Sequence, residues 1–266
     1  MNDDELIQFE TEGVDLPPNP TEYGYVTNNG ALIWFAAFGS GQPVILLHGG
    51  LGHAGNWGEQ VPALVEAGYR AVVIDSRGHG HSTRDGRPYN YAMMAEDVIA
   101  VMNTLQIERA AFVGWSDGAV IALLLADKYP QRAAGVLYFA CNVDPSGTKE
   151  FEMTPVIGRC LSRHIKDYQR LSATPGDFDA FSEAVGEMQR TQPNLSAEDL
   201  SRISVPVTVL HSEYDEFITR EHAEYLARTI PGAEFAFMEG VSHFAPVQRP
   251  EVFNKEMVQF LRKVGW

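Results

Sequence analysis

Three residue types, far apart along the chain, together have what acyl transfer needs. Ser116 is the centre of Gly114-Trp115-Ser116-Asp117-Gly118, between the apolar stretch Phe112-Val113 and the apolar run 119–125. The pattern reads as a buried strand, a G-x-S-x-G turn and a helix. Such a turn brings backbone so close on either side of the serine that glycine is needed there. The hydroxyl then stands at the carboxyl end of the strand and the amino end of the helix, where N–H groups favour negative charge. A serine hydroxyl is a weak nucleophile and needs a base to take its proton. His243, in Gly240-Val241-Ser242-His243-Phe244, is the expected base. Asp215, at the end of Ser212-Glu213-Tyr214-Asp215, is the expected carboxylate that orients the imidazole and stabilises its cation.

The same geometry predicts an oxyanion hole. One N–H comes from Asp117, the residue after the nucleophile, and a second from Gly50 in His48-Gly49-Gly50-Leu51-Gly52, with Leu51 as the alternative. Asp117, Leu51 and Trp115 are the expected substrate contacts, although a carboxylate in a first helical turn also suits the helix dipole alone and Trp115 also suits a wall. Glu213, two residues from Asp215, is expected to face away. His48 and Gly49 are expected to be structural. His53, His79, His81, His164, His211 and His222 read as loop or surface residues. The glycine-rich stretch 78–82 reads as a turn beside the site, since it lacks the spacing and the lysine of a phosphate cradle. No C-x-x-C or H-x-x-x-H spacing points to a metal, and the chemistry calls for no cofactor.

These side chains need a scaffold that brings distant loops to one edge. Apolar runs at 43–47, 70–75, 112–113 (leading into the G-x-S-x-G turn), 133–140 and 206–211 read as strands, most of them buried on both faces. Two further strands, 24–27 and 31–38, flank the Asn28-Asn29-Gly30 turn. Helical periodicity at 57–67, 92–105, 221–229 and 251–264 alternates with the strands, with another strand at 234–238. The alternation predicts an α/β domain: a mostly parallel sheet with helices on both faces. In such a sheet, ligands bind at the carboxyl ends of the strands, where all three residues are expected. Strand runs stop between 142 and 201, where helices at 155–168 and 178–188 are expected. This segment reads as a helical lid inserted into a core of 23–141 and 202–266. Residues 1–22, with Pro17-Pro18-Asn19-Pro20, read as an extended N-terminal arm.

The 266 residues are 45% hydrophobic, enough for one large core. The formal charge of −15 argues against nucleic acid and anionic membrane partners. It leaves a small-molecule substrate as the expected partner. Two cysteines, Cys141 and Cys160, make no disulfide framework. With an acidic start and no apolar run of spanning length, a cytoplasmic monomer or homodimer is expected.

Taken together, His48-Gly49-Gly50, the 75–82 loop Asp75-Ser76-Arg77-Gly78-His79-Gly80-His81-Ser82, Gly114-Trp115-Ser116-Asp117-Gly118, Ser212-Glu213-Tyr214-Asp215 and Gly240-Val241-Ser242-His243 resemble the α/β-hydrolase superfamily over nearly all of 23–266. The chain order Ser, Asp, His is that family's order. The resemblance implies a serine hydrolase that works through an acyl-enzyme, with a carboxylic ester of a small or medium-sized substrate as the first expectation. Amide, lactone or carbon–carbon bond cleavage, or a slow or non-catalytic ligand-binding protein, are the alternatives. It also makes Asp144 a second possible site for the acid. The elbow is similar to that of the valacyclovir-hydrolase type, the biphenyl-hydrolase-like esterases. That likeness implies that Asp117 attracts a substrate amino group. The chain departs from it at Ala119, and its lid carries no matching motif.

Overall fold

A computed structural model describes residues 4–266. In chain order the described elements are α1 (Asp4–Glu12), β1 (Glu22–Asn28), β2 (Ala31–Phe38), β3 (Pro43–Leu47), α2 (Gln60–Glu66), β4 (Arg70–Ile74), α3 (Tyr91–Thr104), β5 (Ala110–Trp115) and α4 (Asp117–Lys128). They continue with β6 (Ala133–Phe139), α5 (Pro155–Leu171), α6 (Phe178–Thr191), α7 (Ala197–Ser201), β7 (Val207–Tyr214), α8 (Arg220–Thr229), β8 (Glu234–Ser242), α9 (Ala245–Gln248) and α10 (Pro250–Lys263).

The strands form one sheet in the order β1-β2-β4-β3-β5-β6-β7-β8. β1, β2 and β4 pair antiparallel, and every pair from β4 across to β8 is parallel. The central parallel strands β3, β5 and β6 are apolar throughout because both faces are covered, and β5 and β6 are buried at every position. Alternate side chains enter opposite layers. Ile45, Leu47 and Phe112 pack with α3, α4 and α8 residues such as Val98, Leu123 and Leu226. Val44, Leu46 and Val113 pack with Leu64 of α2 and Phe253, Met257 and Phe260 of α10. This is the expected α/β architecture. None of the described helices is long and apolar enough to cross a membrane.

Two features depart from expectation. The first lies in the N-terminal arm, whose residues 1–3 are outside the described residues. From Asp4 the arm is a helix rather than an extended strand of chain. Leu6 and Phe9, three apart on one face, are buried, and α1 packs on α5 and α9. Gly13 ends it with φ +75°, its N–H donating to the Phe9 carbonyl (2.9 Å). The second is the length of β7 and β8. They outrun the apolar stretches 206–211 and 234–238 and stay paired as far as Tyr214 and Ser242. That pairing delivers the next residues, Asp215 and His243, side by side. β6 and β7 are sheet neighbours, and the chain between them carries α5, α6 and α7.

Candidate active site

Ser116 sits between β5 and α4 with φ 53° and ψ −121°, a conformation that costs a non-glycine residue strain. Its neighbours explain the glycines. A Cβ on Gly114 would meet Ala119 N at 2.6 Å and the Gly118 carbonyl oxygen, and one on Gly118 would overlap the Leu47 carbonyl. The Ser116 N–H donates to the Phe139 carbonyl (2.8 Å), locking the turn against β6. Asp117 is the first residue of α4, so its N–H has no acceptor within the helix. Gly50 lies beside it: a Cβ there would come within 2.7 Å of Asp117 Oδ2.

Asp215 is 1% exposed and His243 5%. Nδ1 of His243 stands 3.1 and 3.2 Å from the two Asp215 oxygens. Asp215 Oδ1 also accepts from the Phe217 and Ile218 N–H groups, each at 2.9 Å. Burial pushes the Asp215 carboxyl up, but His243 and these donors outweigh it and hold the acid below its ordinary range. With Nδ1–H committed to the carboxylate, Nε2 is left for proton transfer. The His243 N–H is itself fixed by Glu216 (3.0 Å). Ser116 and His243 line one cavity of about 370 Å³ together with Gly50, Leu51, Trp115 and Asp117. Among the described residues, Ser116 and His243 share the cavity without a hydrogen bond between them. Such contacts are often long before substrate is present.

The rival carboxylates are occupied elsewhere. Glu213 is exposed and accepts from the Gly240 N–H (2.8 Å). Asp144 caps a short turn through the Ser146 N–H (2.8 Å). His48 is structural: Nε2 accepts from the Ser76 N–H (3.0 Å) and Nδ1 donates to the Gly49 carbonyl (2.8 Å), and burial pushes its pKa down to about 4. The 75–82 loop folds back on Asp75, which accepts from the His81 N–H (2.8 Å) and ring (2.9 Å). Arg77 in that loop grips Asp97 with two buried bonds (2.9 and 2.6 Å).

His53, His79 and His81 lie in loops, as expected, with His53 and His79 buried, whereas His164, His211 and His222 depart from a loop-or-surface reading: they are buried in α5, β7 and α8. Two of the buried rings join segments: His53 reaches Asp167 of α5 (3.2 Å), and His222 accepts the Val143 N–H (3.0 Å). Asp117 also has partners that no local motif announces. Tyr91 OH donates to it (2.8 Å), and Gln189 Nε2 of α6 donates to both of its oxygens (3.1 Å each). Burial pushes the Asp117 carboxyl up. Trp115 packs edge-on to Trp57 and Phe244, each with a centroid separation of 6.0 Å. Cys141 and Cys160 are free, buried and part of the cavity wall. Among the described residues, no group of three His, Cys, Asp or Glu is placed to hold a metal ion.

A family model described as the alpha/beta hydrolase fold matches residues 42–145. The serine hydrolase BPHL of Mus musculus is 25% identical over 89% of this chain and 85% of its own length. 3-oxoadipate enol-lactonase 2 of Acinetobacter baylyi is 26% identical over 86% of this chain and 92% of its own. Among solved structures, Est816, described as an N-acyl homoserine lactone degrading enzyme, is 28% identical and superposes with a TM-score of 0.71, covering 89% of this chain and all of that one.

Proposed function

This chain belongs to the α/β-hydrolase superfamily, and we propose that it is a serine hydrolase that cleaves a carboxylic ester of a small or medium-sized substrate. The observation that carries the reading is the buried Asp215–His243 pair opening on the same cavity as Ser116 in its strained turn. Ser116 attacks the carbonyl carbon while His243 Nε2 takes its proton. The oxyanion rests on the N–H groups of Asp117 and Gly50, each donor of this kind being worth about 100- to 1,000-fold in rate. His243 then gives the proton to the leaving oxygen. Water, deprotonated by His243, hydrolyses the acyl-enzyme.

Leu51 and Trp115 wall the cavity beside the nucleophile, and the insertion holding α5, α6 and α7 acts as a lid over it. A lactone, an ester closed on itself, is the second reading, favoured by the two relatives named as lactone-cleaving enzymes. An ammonium subsite at Asp117 is less well supported, because Tyr91 and Gln189 already donate to that carboxylate.

The test is hydrolysis of p-nitrophenyl esters of increasing acyl length and of a γ- and a δ-lactone, with Ser116→Ala beside the wild type. The reading expects turnover by the wild type and a fall on the order of a million-fold in the variant. Equal activity in both proteins sinks it. Faster turnover of lactones than of open esters moves the assignment to the second reading.

A further inference from the structure

Phe151 and Met153, in the stretch between β6 and α5, are 64% and 55% exposed, yet both line the cavity that holds Ser116. Large apolar side chains held in water at the mouth of a reaction cavity are a feature to be explained. Phe151 stacks on Phe217 at a centroid separation of 6.5 Å and an angle of 22°. Phe217 in turn meets the His243 ring edge-on at 4.7 Å. A continuous aromatic wall therefore runs from solvent to the imidazole.

The wall is tied to the Asp215 loop. The Lys149 N–H donates to the Phe217 carbonyl (2.7 Å), and Lys149 Nζ to the Asp215 carbonyl (2.6 Å). Thr148 bridges Ile218, and the Thr219 N–H donates to the Gly147 carbonyl (3.0 Å). The same short loop thus orients His243 and supports the wall.

Chemistry assigns the two sides of the cavity. His243 must hand its proton to the leaving oxygen, so the leaving group lies on the imidazole side. On that side Phe217 meets the imidazole and Phe151, stacked on Phe217, reaches the exposed surface. The described residues lining the cavity include no lysine or arginine, and the ammonium of Lys149, behind the wall, is directed to the Asp215 carbonyl rather than into the cavity lining. We infer that the wall of Phe217, Phe151 and Met153 is the subsite for the leaving alcohol, and that it selects a neutral, apolar alcohol, above all an aromatic one. The inference rests on the ester reading and adds the identity of the leaving group to it.

The experiment holds the acyl group fixed and varies the alcohol: methyl, n-butyl and benzyl acetates. Each kcat/KM is divided by the rate of hydroxide-catalysed hydrolysis of the same ester. This constant reports acylation, the step in which the alcohol leaves, whereas deacylation is common to all three. The wild type should prefer benzyl over methyl by about tenfold or more, the scale of a hydrophobic contact. The ratio should fall towards one in the Phe151→Ala, Met153→Ala double variant. It should persist in Tyr23→Ala, which removes another exposed aromatic ring, far off on β1 (71% exposed). A wild-type ratio near one, or an undiminished ratio in the double variant, overturns the subsite and leaves the esterase intact. So does a double variant that shifts acyl-length preference instead. No turnover of any ester removes both readings.

Discussion

On the proposed mechanism, replacing Asp215 by asparagine separates the carboxylate's catalytic work from its structural work. Oδ1 accepts the Phe217 and Ile218 N–H groups at 2.9 Å each, and both oxygens face His243 Nδ1. In Asp215→Asn the two backbone donors require an acceptor, so the amide oxygen takes the Oδ1 position. The amide nitrogen then takes the Oδ2 position, 3.2 Å from Nδ1. The amide oxygen, already accepting two N–H bonds, is a poor acceptor for a third from Nδ1, and the amide N–H donates to Nδ1 instead, so the imidazole moves its proton to Nε2, the atom that on the proposed mechanism accepts from Ser116. The expected loss in kcat is about ten-thousandfold, or about 5.4 kcal/mol of transition-state stabilisation. The fold should hardly notice, because the backbone donors keep their acceptor. Asp215→Ala should lose both activity and stability, at about 1–3 kcal/mol for each buried N–H left unpaired. The assay is p-nitrophenyl ester hydrolysis at saturation, beside urea unfolding of both variants. Asp215→Asn turning over within tenfold of wild type would refute the reasoning, and so would an alanine variant as stable as the asparagine one.

Three further outcomes can be measured with the same material. Ser116→Gly should abolish turnover but raise the melting temperature by about 2 °C, because it relieves the positive φ of 53°; a lower melting temperature would mean that the turn is not strained. Asp97→Ala leaves the buried Arg77 with Asp85 at 3.7 Å and the Asn28 and Asn29 carbonyls, and should cost about 1.5–3 kcal/mol in urea unfolding; no measurable loss would contradict the pairing. Burial pushes the pKa of His48 down to about 4 and those of His79 and His164 to about 3. The unfolded chain therefore takes up protons that the folded one refuses, so stability should drop as pH falls from about 6.5 to 4. Equal urea midpoints at pH 7 and pH 5 would rule that out.

What could be read from the chain alone follows from range. β2 and β3 are continuous apolar runs with turn residues at both ends, and their limits are visible residue by residue. The turn around Ser116 is visible because its constraint is local: both glycines lie within two residues of the serine. The extension of β7 to Tyr214 and of β8 to Ser242 is not visible, because those positions are polar and stay in the sheet only by pairing with each other. α1 hides in a polar segment, since two apolar side chains, Leu6 and Phe9, hold it and their partners lie far along the chain. The burial of His53 depends on Asp167, more than a hundred residues away. Asp117 illustrates the same limit. Its backbone position follows from the motif, but its side-chain partners Tyr91 and Gln189 come from two other helices.

That last contact has an evolutionary and engineering consequence. Gln189 belongs to α6, in the segment between β6 and β7, whereas Asp117 sits next to Ser116 at the start of α4. Insertions of this kind are natural units to exchange when a new specificity is wanted. Here the exchange is not free: a transplanted segment without a donor at position 189 would leave a buried carboxylate next to Ser116 with Tyr91 alone. Positions 117 and 189 therefore form a compatibility key. Chimeras should be built with both residues from one parent, and libraries that diversify the insertion should either hold Gln189 fixed or vary it jointly with Asp117.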